Sequence, residues 1–169
     1  MRITKKTRTK DILPLLTKER LDLLLEQVEP VPLEKTLMSM TIAEFDGVIN
    51  DEDNFLINLI NNNPEALVFL GKLKSFRTQI DGLNSFFKRL EVKMSPEETA
   101  AAKGVMFPDI IQKMLLTCCQ FFHLKSFEEA EKCTVGSYML IYQNEAANAQ
   151  YQRNYQKIME QKQKNKSKR

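Results

Sequence analysis

The sequence predicts an all-α protein, an irregular multi-helix bundle closed by a long C-terminal helix. Three observations predict it. Only five glycines occur in 169 residues, too few for the turns of a many-stranded sheet, while Leu, Lys, Glu, Gln, Met and Ala, all helix formers, are abundant. Ser, Thr, Asp or Pro stands repeatedly just ahead of an apolar run, the pattern of helix starts. From Phe69 to Leu90 the apolar residues Phe69, Leu73, Phe76, Ile80, Leu83, Phe87 and Leu90 recur at alternating steps of four and three.

The elements follow in order. Thr17 caps a first helix whose Leu21, Leu24, Leu25 and Val28 share one face, and Pro30 and Pro32 end it. Residues 33–40 have no clear period and read as a loop or one short strand. Thr41 with Glu44 forms a capping box for a short helix through Ile42, Phe45 and Ile49. Asp51 and Asp53 mark the next start, for a helix bearing Phe55, Leu56, Leu59 and Ile60 that stops at Asn61, Asn62 and Asn63. Pro64 and Glu65 then open what is expected to be the longest helix, with Pro64 in its first turn. Its apolar stripe requires burial, and Gly71 and Gly82 imply either close packing or a bend.

Ser95, Pro96 and Glu98 start a short helix ending near Gly104. Pro108 and Asp109 open the next, whose Ile110, Ile111, Met114, Leu115, Cys118, Phe121 and Phe122 give the broad apolar face of a central core helix. Ser126 and Glu129 form a further capping box, and Thr134 caps the final helix from about Val135. Tyr138, Ile141 and Tyr142 belong to the core. Beyond Glu145 only Ala149, Tyr151, Tyr155, Ile158 and Met159 interrupt a run of Asn, Gln and Lys.

The net charge of +3 conceals segregation: each end of the chain carries a net +5, which leaves −7 in the body between them. The division expected is a basic N-terminal arm over 1–10, a single helical domain over 11–160 and a basic disordered tail over 161–169. Basic ends on an acidic body suit either solubilising tails or contacts with phosphates; in the second case Lys5, Lys6, Arg8, Lys10, Lys162, Lys164, Lys166, Lys168 and Arg169 are the candidates. No apolar run reaches the ~18 residues of a membrane span, and the N-terminal stretch lacks the apolar core of a secretory signal. The odd set Cys118, Cys119 and Cys133 lacks metal-type or disulfide-type spacing, and together these features lead us to expect a reducing cytoplasm.

No catalytic or cofactor chemistry is expected. His123 is the one histidine, without a nucleophile motif, and reads as a cap or surface residue; Cys118 and Cys119 sit in an apolar run that favours inert burial. Phosphate-cradling glycine loops do not occur. Asp51 and Asp53 lack the glycine and the final Glu of a calcium loop. Residues 126–141 read as a helix-turn-helix or as two capped helices folded over the core. A reading helix that opens with Val135, Gly136, Ser137, Tyr138 and Met139 offers nothing to base edges.

The candidate binding feature is the polar half of the last helix. Tyr151, Tyr155, Ile158 and Met159 make a narrow sticky stripe on a hydrophilic rod, which either packs on the chain's own core or docks a partner helix or a second copy.

From Phe121 to about Ile158 the order Phe-Phe-His-Leu-Lys-Ser-Phe-Glu-Glu-Ala-Glu-Lys-Cys-Thr-Val-Gly-Ser-Tyr, followed by Ala147, Ala149, Tyr151, Asn154 and Tyr155, resembles small tail-assembly chaperone-like proteins of long-tailed bacteriophages. Their pattern is an aromatic and a short loop, a Ser or Thr cap, Glu-Glu-Ala, a Thr cap and a long helix. Phe127 stands where that pattern often has Trp, and its late His and Trp are absent. The resemblance covers about a quarter of the chain. It implies a non-enzymatic helical protein of the host cytoplasm, without cofactor, that holds a tape-measure or other structural protein soluble during assembly.

Overall fold

The computed structural model describes residues 3–4, 6–91 and 96–166, with the side chains of 52, 53, 96–98 and 166 left outside that description. Among the described residues there are nine α-helices and no strand. They are α1 (Thr9–Ile12), α2 (Lys18–Gln27), α3 (Ile42–Asn50), α4 (Glu52–Asn62), α5 (Ala66–Leu90), α6 (Pro96–Ala101), α7 (Ile110–Phe122), α8 (Phe127–Ala130) and α9 (Val135–Lys166). Two 3₁₀ turns, Leu13–Leu15 and Leu37–Ser39, complete the set, so residues 33–40 form a loop with one tight turn.

Local capping sets most of the starts. The Thr17 hydroxyl accepts from the Arg20 N–H, Asp51 from Asn54 and Asp109 from Gln112. At Thr41 both halves of the capping box form, and the Lys35 ammonium also binds the Glu44 carboxylate. These bonds hold the Glu44 carboxyl below the usual carboxylate range, the Lys35 bond first and the Thr41 backbone second. At Ser126 only half the box forms: the hydroxyl accepts from the Glu129 N–H, while the Glu129 carboxylate accepts from the Lys125 N–H. The expected cap at Ser95 lies outside the described residues.

Two apolar clusters fill the interior, and α5 lines both. The first joins Ile12, Leu25, Val28 and Leu59 to Ala66, Phe69, Leu70 and Leu73. The second gathers Leu37, Ile42, Phe45, Leu83, Met114, Cys118, Ala130, Val135, Tyr138, Met139 and Ile141. Phe55 of the first and Phe76 of the second meet with ring centroids 4.5 Å apart. The stripe on α5 is therefore covered within the chain, as its spacing requires.

Backbone pairing ties remote segments together. Thr9 donates its N–H to the Pro64 carbonyl (2.8 Å) and its hydroxyl to the Asn63 carbonyl (2.6 Å), and Ala66 donates to the Thr7 carbonyl (2.9 Å). Thr9 and Ile12 are fully buried as a result. The arm expected over 1–10 is thus built into the fold from Thr7 onward. The same pairing keeps Glu65 extended as the N-cap, so α5 starts at Ala66 and Pro64 precedes the helix instead of occupying its first turn. A second cross-tie joins the starts of α3 and α9: Ile42 donates to the Cys133 carbonyl (2.8 Å) and Val135 to the Met40 carbonyl (2.9 Å). Each helix finds partners for N–H groups that have none within it.

Four further expectations are corrected. The longest helix is α9, at 32 residues against 25 for α5, because nothing in its Gln-, Asn- and Lys-rich second half breaks a helix. Residues 161–166, expected in a disordered tail, continue that helix. The α7 helix is covered on one side only: Met114, Thr117 and Cys118 are buried, while Phe121 and Phe122 are exposed and pack edge-to-face on each other. On α3 the inward residues are Ile42, Phe45 and Val48, and Ile49 points outward.

Candidate docking face

The final helix divides into a buried root and an exposed rod. Thr134 caps it by accepting from the Ser137 N–H at 3.1 Å. Val135, Tyr138, Met139 and Ile141 enter the second core, and Tyr142 packs edge-to-face against Phe87 at 5.5 Å. Gly136 allows the Leu37–Ser39 turn to approach closely, since a Cβ there would stand 2.8 Å from the Met38 carbonyl oxygen. Beyond Glu145 almost every residue is exposed up to Asn165, with only Ala146 and Arg153 half-buried. The α8 helix is a single turn of four residues, so 126–141 is two capped helices and not a helix-turn-helix.

On this rod the four candidate residues remain uncovered. Tyr151 is 64% exposed, Tyr155 50%, Ile158 50% and Met159 38%, which removes the alternative that the stripe packs on the chain's own core. Tyr151 and Tyr155 stack with centroids 6.4 Å apart, presenting one continuous aromatic surface. An apolar set of this kind, among Gln and Asn with Arg153 and Lys157 the two charged side chains between its members, is suited to van der Waals contact with another chain, and the phenol hydroxyls can bond at its rim.

Sequence reasoning missed Leu140. It is 70% exposed in the midst of the buried root, on the side of α9 opposite Tyr138 and Tyr142. The signal was available in the spacing, because about 3.6 residues per turn places Leu140 in line with Ala147, Tyr151 and Ile158. A second exposed apolar group, Val105, Met106 and Phe107, precedes α7 and had no periodic signature.

The basic candidates are placed on separate elements. Lys6, Arg8 and Lys10 are exposed on the N-terminal segment paired with Glu65, while Lys162 and Lys164 are exposed near the end of α9. Lys166 is its last residue. Lys5, Lys168 and Arg169, and the side chain of Lys166, lie outside the described residues.

His123 takes the C-cap of α7 in the left-handed conformation (φ 54°), its N–H donating to the Cys119 carbonyl. It is exposed. Cys118 is fully buried, and burial first, then the neighbouring Cys133 and Cys119 thiols, push it up to about 12, so it carries no thiolate near neutrality. The three cysteines are unbridged. Among the described residues no helix is long and apolar enough to cross a membrane, and no group of three potential metal ligands converges.

Comparison with protein-family models, with curated proteins and with solved structures gives no match.

Proposed function

We infer that the chain is a non-enzymatic helical binding protein, of assembly-chaperone or adaptor type, that covers part of another polypeptide with the outward face of α9. The observation that carries this reading is the exposure of Tyr151, Tyr155 and Ile158, each at half or more, on a helix anchored in the core through Tyr138 and Ile141. A root anchored in the core, with an aromatic stripe on an otherwise hydrophilic rod, is suited to laying one helix along another. The C-terminal resemblance supports a long helical structural protein of a phage tail as the client, held soluble in the host cytoplasm until assembly. Turnover of a substrate is not needed for this role.

The test is affinity capture from the native source, with the wild-type chain and with Tyr155→Glu, followed by reconstitution with the purified captured protein. Capture of a helix-rich polypeptide that binds the wild type and loses most of its affinity for Tyr155→Glu is the expected result. Affinity for such a client should change little between low and moderate salt. Loss of the captured material on nuclease treatment, with steeply salt-dependent binding, would instead favour the alternative of phosphate contacts through the basic ends of the chain.

A further inference from the structure

The uncovered side of α9 carries more order than four sticky residues. Leu140, Asn144, Ala147, Tyr151, Asn154 and Ile158 follow one another at steps of four and three, a heptad seam without interruption. All six are exposed, whereas Val135, Tyr138 and Ile141 on the other side are buried. From Leu140 to Ile158 the seam runs about 27 Å at 1.5 Å per residue.

Resting on the reading of α9 as a docking face, we propose that the seam is covered by a second copy of this chain, lying antiparallel about a two-fold axis near position 149. In that arrangement Leu140 of one copy faces Ile158 of the other, Ala147 faces Tyr151, and Asn144 faces Asn154. Apolar meets apolar, the bulky ring meets the small methyl, and amide meets amide. A parallel pair in the same register sets Tyr151 against Tyr151 and Ala147 against Ala147, a collision beside a void. The paired amides also fix the register, because sliding either helix by one heptad leaves an Asn opposite an apolar side chain.

Charge selects the same direction. The outer end of α9 is basic from Lys157 to Lys166 against the single Glu160, and the turn just ahead of its root carries the exposed Glu128, Glu129 and Glu131 between Lys125 and Lys132, a net −1 over residues 125–132. Antiparallel copies bring each basic end toward the other's acidic turn. Parallel copies stack like charges at both ends. Near the axis the residues flanking the seam are Asn148 and Gln150, so no like charges oppose the approach. A single seam of about 27 Å is a small contact, so the pair is expected to be reversible on dilution.

Sedimentation equilibrium of the full chain, over concentrations on the order of 1 to 100 micromolar, is the first arm of the test. A monomer–dimer equilibrium is expected, with Tyr151→Glu raising the dissociation constant by at least about tenfold and leaving the circular dichroism spectrum unchanged. Orientation is read from chains carrying Leu140→Cys or Ile158→Cys, oxidised with copper–phenanthroline and mapped by peptide mass. A disulfide between positions 140 and 158 in the mixture, with neither variant joining to itself at its new cysteine, supports the antiparallel pair. A monomer throughout the range, a dimer indifferent to Tyr151→Glu, or a 158–158 disulfide overturns it. The docking-face reading falls separately, when a purified client binds wild type and Tyr155→Glu equally well.

Discussion

A methyl group placed on Gly71 would stand 2.5 Å from the Val31 Cγ2 and 2.8 Å from the Glu29 carbonyl oxygen, where Val31 donates its N–H to the Gly71 carbonyl at 3.0 Å. On the same helix, nothing lies within 4 Å of the Cβ position at Gly82. The two glycines therefore carry opposite predictions. Gly71→Ala must displace a backbone carbonyl and should cost about 1–3 kcal/mol in urea unfolding. Gly82→Ala, in a helical backbone that alanine favours, should add about 0.5–1 kcal/mol. Tyr138 offers a third residue-scale prediction. Its ring is fully buried between Phe87 and Tyr142, yet its hydroxyl has no hydrogen-bond partner. Tyr138→Phe keeps the ring packing and removes that burden, so the melting temperature should hold or rise, by the equivalent of about 1 kcal/mol.

Two buried acids, Cys118 and Tyr138, lower stability at alkaline pH. Desolvation raises both Cys118, from 9.0 to about 12, and Tyr138 from its ordinary 10.0. Above pH 9 the unfolded chain releases these protons while the folded chain keeps them, so stability is complete below pH 9 and falls as pH rises toward the folded values. The slope approaches ~1.4 kcal/mol per pH unit for each group so affected. Urea midpoints measured between pH 8 and 11 should decline, less steeply in Tyr138→Phe; a flat profile would mean that neither group differs between the folded and unfolded chain.

Helix starts were legible wherever their determinants are local. Thr17, Thr41 with Glu44, Asp109 and Thr134 each cap the helix their sequence announces, since a side chain reaching an N–H two or three residues ahead needs no distant partner. The start of α5 escaped the same logic because a remote segment decides it: Thr7 and Thr9 claim the backbone of 63–66. Faces were harder to read than starts. The run ending in Phe121 and Phe122 has an apolar face so broad, interrupted on one side by Gln112, Lys113 and Gln120, that periodicity alone could not tell which aromatics α7 leaves outside. On α9 the exposed Leu140, Tyr151 and Ile158 lie about half a turn from the buried Tyr138, whereas Met159, about five turns beyond the buried Ile141, shares the side of that residue. Nearly every side of the helix is exposed beyond Glu145, so the rod is free because it runs past the core. It follows that the rod contributes little to folding. Truncation after Gln150 should shift the melting temperature of the dilute chain by less than about 3 °C, the equivalent of about 1 kcal/mol, while abolishing partner binding. A loss of cooperative unfolding on truncation would show that the rod belongs to the core after all.

At the scale of the whole molecule, α5 joins two apolar clusters into the platform from which α9 projects. The basic end of α9 lies farthest from its root, while within the body the −7 of residues 11–156 is largely offset by the +5 of the N-terminal segment. The all-α architecture was readable because glycine scarcity and heptad spacing both reflect requirements of the helix itself. The candidate stripe was readable as a stripe, but its freedom was not, since only the packing of Tyr138, Ile141 and Tyr142 at the root shows where the core ends and the exposed part of α9 begins. Hydroxyl-radical footprinting tests the central claim most directly, comparing the chain isolated with its native partner against the same chain alone at high dilution. Protection concentrated on Tyr151, Tyr155, Ile158 and Met159, with Phe107 and Phe121 equally reactive in both samples, is the predicted result. Undiminished reactivity of those four side chains in the isolated complex would contradict it.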